Sequence, residues 1–306
     1  MSTSFGDKMR GVLASALNSS IISRRVLAYG TAFVLAAGLA ACSTARLAYN
    51  QAPNLTYWWL DGHIDFTSEQ TPQVRSKIDD FFQWHRSTEL PAYSRQLRAW
   101  QDLALRDVSP AEACTEFETI RQRIDVAAER MVAPMARVAL QLDAVQLANL
   151  QRRQAKSNED FAKEHLRPGA ERALEERLKK AVERSERFYG PLTTAQRELL
   201  REQVRRSPWD PERTQYERER RQADLLNTVR DLQAKPAIAG QAVREHLARI
   251  SRSPTPGYPE YSAQLVQHGC AQFAALHNST TPAQRANAVK ALRGYEDDVV
   301  SLASRR

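Results

Sequence analysis

The stretch "PLTTAQRELL", residues 191–200, puts a threonine at 193 and a glutamine three places later at 196. A helix leaves its first amide groups without partners. A Ser, Thr or Asp at the N-cap with Glu or Gln three residues on satisfies two of them reciprocally, which is a capping box. The same spacing recurs in "FTSEQ" as Thr67 and Gln70, in "LDAVQ" as Asp143 and Gln146, and in "TTPAQ" as Thr281 and Gln284. A fifth box, Ser109 with Glu112, sits in "VSPAE". Pro110 and Pro282 fall at the first helical position, where a missing amide hydrogen does no harm, and Asp210 before Pro211 marks one more start. Each box stabilises its helix by about 1 kcal/mol. With no Asn-Gly hairpin signal and no sustained alternation of apolar and polar residues, the chain reads as all-α.

Apolar spacing extends that reading outward. Phe117, Ile120, Ile124, Ala127, Met131, Met135, Val138 and Leu142 step by three or four, so one stripe runs through Pro134 and predicts a kinked, unbroken helix with a core-facing side. Ala288, Leu292, Tyr295, Val299 and Leu302 repeat the rule, as do Leu90, Tyr93, Leu97 and Trp100 near Pro91. Helices are expected over 68–88, 90–106, 110–141, 144–166, 169–189, 194–206, 211–233, 236–251, 258–278 and 282–303. The expected architecture is a single bundle of 8–10 helices. Residues 169–233, rich in charge and poor in large apolar side chains, are expected to form long, partly solvated helices projecting from it. "RSPTPGYP", 252–259, is the clearest loop, and the two helices beyond it are too small a unit to form a separate core.

The first residues carry Lys8, Arg10, Arg24 and Arg25 against Asp7, and then a sixteen-residue apolar run, "VLAYGTAFVLAAGLAA". That order is a secretory signal, and the run falls short of the ~20 residues of a spanning helix. "LAAC", Leu39 to Cys42, resembles the lipobox of bacterial lipoproteins, which implies a diacylglycerol thioether on Cys42. Ser43 after it implies passage to the outer membrane, with the protein facing the periplasm. The expected organisation is a signal peptide over 1–41, a lipidated segment over 42–66 and a helical domain over 67–306. The formal charge of +8 drops to +5 once the leader's four basic and one acidic residues are removed. The remaining arginines interleave with glutamates, as in "ERERR" at 217–221, which describes solvated helix faces and not a nucleic-acid surface.

Little else suggests chemistry. In "YWWLDGHIDF", 57–66, Asp61, His63 and Asp65 could approach a metal, but no second His or Cys cluster lies at ligand spacing. The segment is expected instead to pack Trp58, Trp59, Leu60, Ile64 and Phe66 against the first helix. No nucleophile elbow, metalloprotease pair, phosphate-binding loop or dinucleotide fingerprint occurs, so no catalytic residue, metal or cofactor is expected. Apart from Cys42, the cysteines are Cys114 and Cys270, both on apolar faces. They form either a pair of buried thiols or a disulfide in an oxidising compartment.

From Cys42 through "RLAYNQAPNLTYWWLDGHIDFTSEQTPQVRSKIDDFFQWHR" the chain resembles a family of proteobacterial lipoproteins defined by a domain of unknown function. The resemblance rests on Tyr49-Asn50, the aromatic segment, the helix start at Thr67, and Trp84-His85-Arg86. The boxes are also similar to the LTxxQ motif of periplasmic chaperones of the Spy and CpxP type, complete here as Leu192, Thr193 and Gln196. Phe66, Asp143 and Thr280 depart from that motif at the other three sites. The expected function is binding of polypeptide or another envelope component on the helical surface, without catalysis. The alternative is a scaffold between the outer membrane and a protein partner.

Overall fold

The computed structural model describes the backbone of residues 27–304 and the side chains of 45–304. The chain divides into two compact units, Met1–Ala45 and Arg46–Arg306. Among the described residues every regular element is helical. The order is α1 (Leu27–Ile64), α2 (Gln70–Trp84), a π-helical stretch (His85–Glu89), α3 (Leu90–Leu103), α4 (Pro110–Ala139), α5 (Ala144–His165) and α6 (Ala170–Tyr189). It continues with α7 (Thr194–Arg206), α8 (Pro211–Ala234), a 3-10 turn (Pro236–Ile238), α9 (Ala239–Ser251), α10 (Tyr258–Asn278) and α11 (Pro282–Ser304). All five boxes form with both reciprocal bonds. α4 runs through Pro134 without a break.

Two hydrophobic cores lie in the second unit. The first gathers Tyr57, Phe66, Val74, Val132, Leu142 and Leu232 from α1, α2, α4, α8 and the segments beside them. The second gathers Leu178, Tyr189, Leu192, Leu200, Leu276 and Ala288 from α6, α7, α10 and α11. α3 lies along α11, and α4 lies along α9 and α10.

Three expectations are corrected. "YWWLDGHIDF" is not a short separate segment: its residues through Ile64 are the last turns of α1, and Leu60, Ile64 and Phe66 pack in the core shared with Val74 and Ile78 of α2. Tyr57 and Phe66, from the segment expected to precede the helical domain, belong to the first core. The helices at 68–88 and 90–106 are joined through the π-helical stretch, where the Leu90 amide bonds to the His85 carbonyl one residue further back than an α-helix allows. That wider turn carries the chain into Pro91, whose ring would clash in a tight helix. Finally, α6 to α8 do not project: Leu178, Val182, Leu200, Val204, Leu226 and Leu232 are all buried. Few large apolar residues suffice when each sits on the one inward stripe. Of the charged central helices α5 is the least covered, burying only Gln146.

Candidate functional site

The four glutamine boxes meet in pairs. Gln70 and Gln146 exchange amide hydrogen bonds, Gln146 Nε2 to Gln70 Oε1 at 2.6 Å and Gln70 Nε2 to Gln146 Oε1 at 3.2 Å. Gln196 and Gln284 do the same at 2.8 and 2.9 Å. Each glutamine also donates to the carbonyl two residues before its partner's N-cap. Gln70 reaches Gln141 O, Gln146 reaches Asp65 O, Gln196 reaches Ser279 O and Gln284 reaches Pro191 O, all at 2.9–3.0 Å. With its own N-cap amide also bonded to Oε1, each side-chain amide uses two donors and two acceptors, its full capacity. Asn149 to Ile64 O and Asn287 to Tyr189 O add matching bonds three residues after Gln146 and Gln284. The chain before the box turns through the left-handed region in both modules, at Asp65 (φ 67°) and at Gly190 (φ 75°). The first pair lies beside the first core through Phe66 and Leu142, the second beside the second core through Leu192.

The box at Ser109 has no partner box and carries glutamate. Glu112 closes its own cap and takes Arg106 at 2.7 Å, which together hold its carboxyl at about 2. Glutamate would fail in the other four places, because a carboxylate has no hydrogens to donate to the opposite carbonyl and amide oxygen. The four glutamine boxes are thus a device that fastens helix starts together in pairs.

A second cluster surrounds the π-helical stretch. Tyr49 Oη lies 2.8 Å from His85 Nδ1, Arg86 donates to Asn50 Oδ1 at 3.1 Å and to Leu302 O at 2.9 Å, and Arg86 stands over the Tyr49 ring. Phe82, Trp84 and Tyr93 line His85. Glu89, 1% exposed, has Oε2 without a hydrogen bond, 3.7 Å from Arg123 Nη1. Burial pushes the His85 imidazole below its ordinary value despite the pull of Glu89, and burial raises both Tyr49 and Tyr93. A half-buried neutral imidazole against a tyrosine can pass a proton, but the contacts around it chiefly tie α1 to α2 and α11.

Three further buried polar groups are structural ties. Glu217, 1% exposed on α8, suffers a burial penalty that raises its carboxyl. Hydrogen bonds from Arg220, Arg221, Ser253 and Thr255 outweigh that penalty and hold it at about 2. His246 Nδ1 meets Asp224 at 2.6 Å, and Arg249 takes the other carboxylate oxygen. His277 lies between the Tyr189 hydroxyl, which burial pushes up to about 12, and the Arg106 carbonyl, so Nε2 carries the hydrogen and Nδ1 accepts.

The residues singled out from sequence distribute as follows. Cys42 and its side chain, with Ser43 and the leader's charges, lie outside the described side chains. Cys114 and Cys270 are joined by a disulfide, Cα to Cα 5.3 Å, which fastens α4 to α10. Asp61 accepts from the Phe66 amide and the Tyr57 hydroxyl, His63 Nδ1 bonds to Trp59 O, and Asp65 is the left-handed residue after α1. Among the described residues no three His, Cys, Asp or Glu side chains gather as a metal site. The stripe on α4 departs most from expectation. Its C-terminal half packs in the first core, but Phe117, Ile120 and Ile124 are 45%, 43% and 62% exposed. The periodicity that placed them on a core face is real, but α9 and α10, the helices packed along α4, leave these three side chains largely exposed. Trp58 and Trp59, expected to pack, are 60% and 63% exposed.

A family of unknown function matches residues 62–240, more than half of the chain. The chain belongs to DUF6279. The DUF6279 segment contains the first glutamine pair, the π-helical stretch, the exposed end of α4, and Gln196 but not Gln284. Neither a curated protein nor a solved structure matches the chain.

Proposed function

We propose that this DUF6279 protein is an outer-membrane lipoprotein, anchored through Cys42 and facing the periplasm, that binds polypeptide on its helical surface without catalysis. The observation that carries this reading is the exposed stripe Phe117, Ile120 and Ile124 on α4. Three large apolar side chains on one face of a helix clamped by a disulfide and a core offer a rigid, preorganised strip to an unfolded or amphipathic segment. Around it, Arg121 is bound to Glu118 and Asp125, a charged rim that keeps the strip soluble. The secretory leader and the lipobox of the sequence support the location. The scaffold reading draws on the solvent-facing ion pairs of α5, such as Lys156 with Asp160 and Lys163 with Glu159.

The test is aggregation of a reduced client protein monitored by light scattering, with residues 43–306 added at near-stoichiometric ratio. Wild type should delay aggregation, and Ile124→Glu should abolish the delay while unfolding at the same urea concentration. Inactivity of the wild-type protein toward several clients would move the assignment to the scaffold.

A further inference from the structure

The exposed side of α1 between Leu47 and Gly62 is as unusual as the stripe on α4, and it has a different occupant. Leu47, Gln51, Leu55, Trp58 and Gly62 recur every three or four residues, Trp59 adjoins Trp58, and all six are exposed. The opposite side of the same helix is covered, with Tyr57 in the first core and Leu60 and Ile64 against it. From Leu47 to Leu60 the chain contains no Asp, Glu, Lys or Arg. The cations beside it are engaged: Arg46 pairs with Asp298 at 3.1 Å, Arg86 donates to Asn50, and Arg75 is held over the Tyr57 ring at 3.6 Å and donates to Asn54. An exposed helix face without charge, ending in two tryptophans, suits the headgroup boundary of a bilayer, where an indole buries its ring and keeps its N–H wet.

We propose that this face of α1 lies in the interfacial layer of a lipid membrane, so that the protein rests on the bilayer along α1 as well as hanging from its anchor. The occupant follows from where the chain upstream leads, and in that step the proposal rests on the lipoprotein reading. The apolar run ends at Ala41 and Cys42 follows it, five residues before Leu47. Five residues span at most about 18 Å in any conformation. An acyl chain on Cys42 therefore keeps Leu47 close to the headgroups, and from Leu47 to Trp59 the helix advances only about 18 Å more. The missing charge sets the chemistry: the face should bind a zwitterionic surface as well as an anionic one and be indifferent to salt, unlike a polybasic patch.

The test uses the full chain made in cells, with its membrane form labelled by palmitate and then reconstituted in phosphatidylcholine vesicles containing brominated acyl chains. Bromine should quench tryptophan emission equally with and without added anionic lipid. Trp58→Ser/Trp59→Ser should remove the quenched component and leave the emission of Trp84, Trp100 and Trp209 untouched. Leu47→Gln/Leu55→Gln, which keeps all five tryptophans, should lower the quenched fraction at least about twofold. These positions are exposed, so circular dichroism should report the same fold in each variant. A palmitate-labelled, vesicle-bound protein whose tryptophans are not quenched overturns the proposal and leaves the lipoprotein reading standing. An unlabelled protein that is still quenched keeps the membrane face and removes the anchor. An unquenched protein that sediments as a dimer, and loses the dimer in the tryptophan variant, assigns the face to a second copy and also overturns it.

Discussion

Replacing Gln284 by glutamate separates a helix cap from a helix clasp. If the box at Thr281 served α11 alone, glutamate would be welcome there, since it completes a capping box and favours the helix N-terminus by about 0.3–1 kcal/mol. The structure demands the opposite. Gln284 Nε2 donates to Pro191 O at 3.0 Å and to Gln196 Oε1 at 2.9 Å, and both bonds vanish with the amide. Each leaves an acceptor, the Gln196 amide oxygen buried and the Pro191 carbonyl part-buried, facing a carboxylate oxygen, at about 1–3 kcal/mol apiece. The bonds received from the Thr281 amide and from Gln196 Nε2 survive. After the cap gain is subtracted, the net loss is about 1–6 kcal/mol at neutral pH. The new carboxyl, buried against two oxygens, should titrate above its unfolded value. Its contribution is then intact below the ordinary carboxylate range and lost as pH rises through the folded value, so the penalty should shrink in acid. Urea unfolding followed by circular dichroism at pH 7 and pH 4 measures both effects, with Glu112→Gln in the exposed, unpaired box as the control. A Gln284→Glu protein within about 0.5 kcal/mol of wild type at pH 7 would refute the clasp.

Glu217→Gln should destabilise by about 3 kcal/mol, because an amide turns two hydrogens toward Arg220, Arg221, Ser253 or Thr255 where the carboxylate accepted from all four. Since the Glu217 carboxyl is held at about 2, the stability it lends is complete above the ordinary carboxylate range and disappears as pH falls toward 2; an acid-unfolding curve unchanged by the substitution would contradict this. Reducing the bond between Cys114 and Cys270, 156 residues apart, should lower stability by about 2–5 kcal/mol, and thiol titration of the denatured, unreduced domain of residues 43–306 should find neither cysteine free. Cys42→Ser should accumulate as unprocessed precursor that takes up no labelled palmitate.

The helical class and nearly every helix start were legible in the chain, because a capping box, a proline at the first turn and a three-four apolar step are local: they act within one or two turns of the residues that bear them. The boxes even carried a further signal that local reasoning passes over, glutamine in four and glutamate in one. That difference has no consequence for an isolated cap. It acquires one only when Gln70 faces Gln146 and Gln196 faces Gln284 across 76 and 88 residues, which tertiary structure alone decides. The same holds for coverage. Periodicity identified the apolar face of α4 correctly, yet whether a face is core or surface depends on whether another helix arrives to cover it. For Val132 and Leu142 one does; Ile124 and Trp59 stay largely exposed. The charged run over 169–233 erred the other way, since composition averages around a helix whereas burial selects a single stripe, and Leu232 is wholly enclosed. What the sequence by itself determined was therefore where most helices begin and, for those with a clear stripe, which side is apolar. Which sides meet, and which are left for a partner, was decided by packing between residues far apart in the chain.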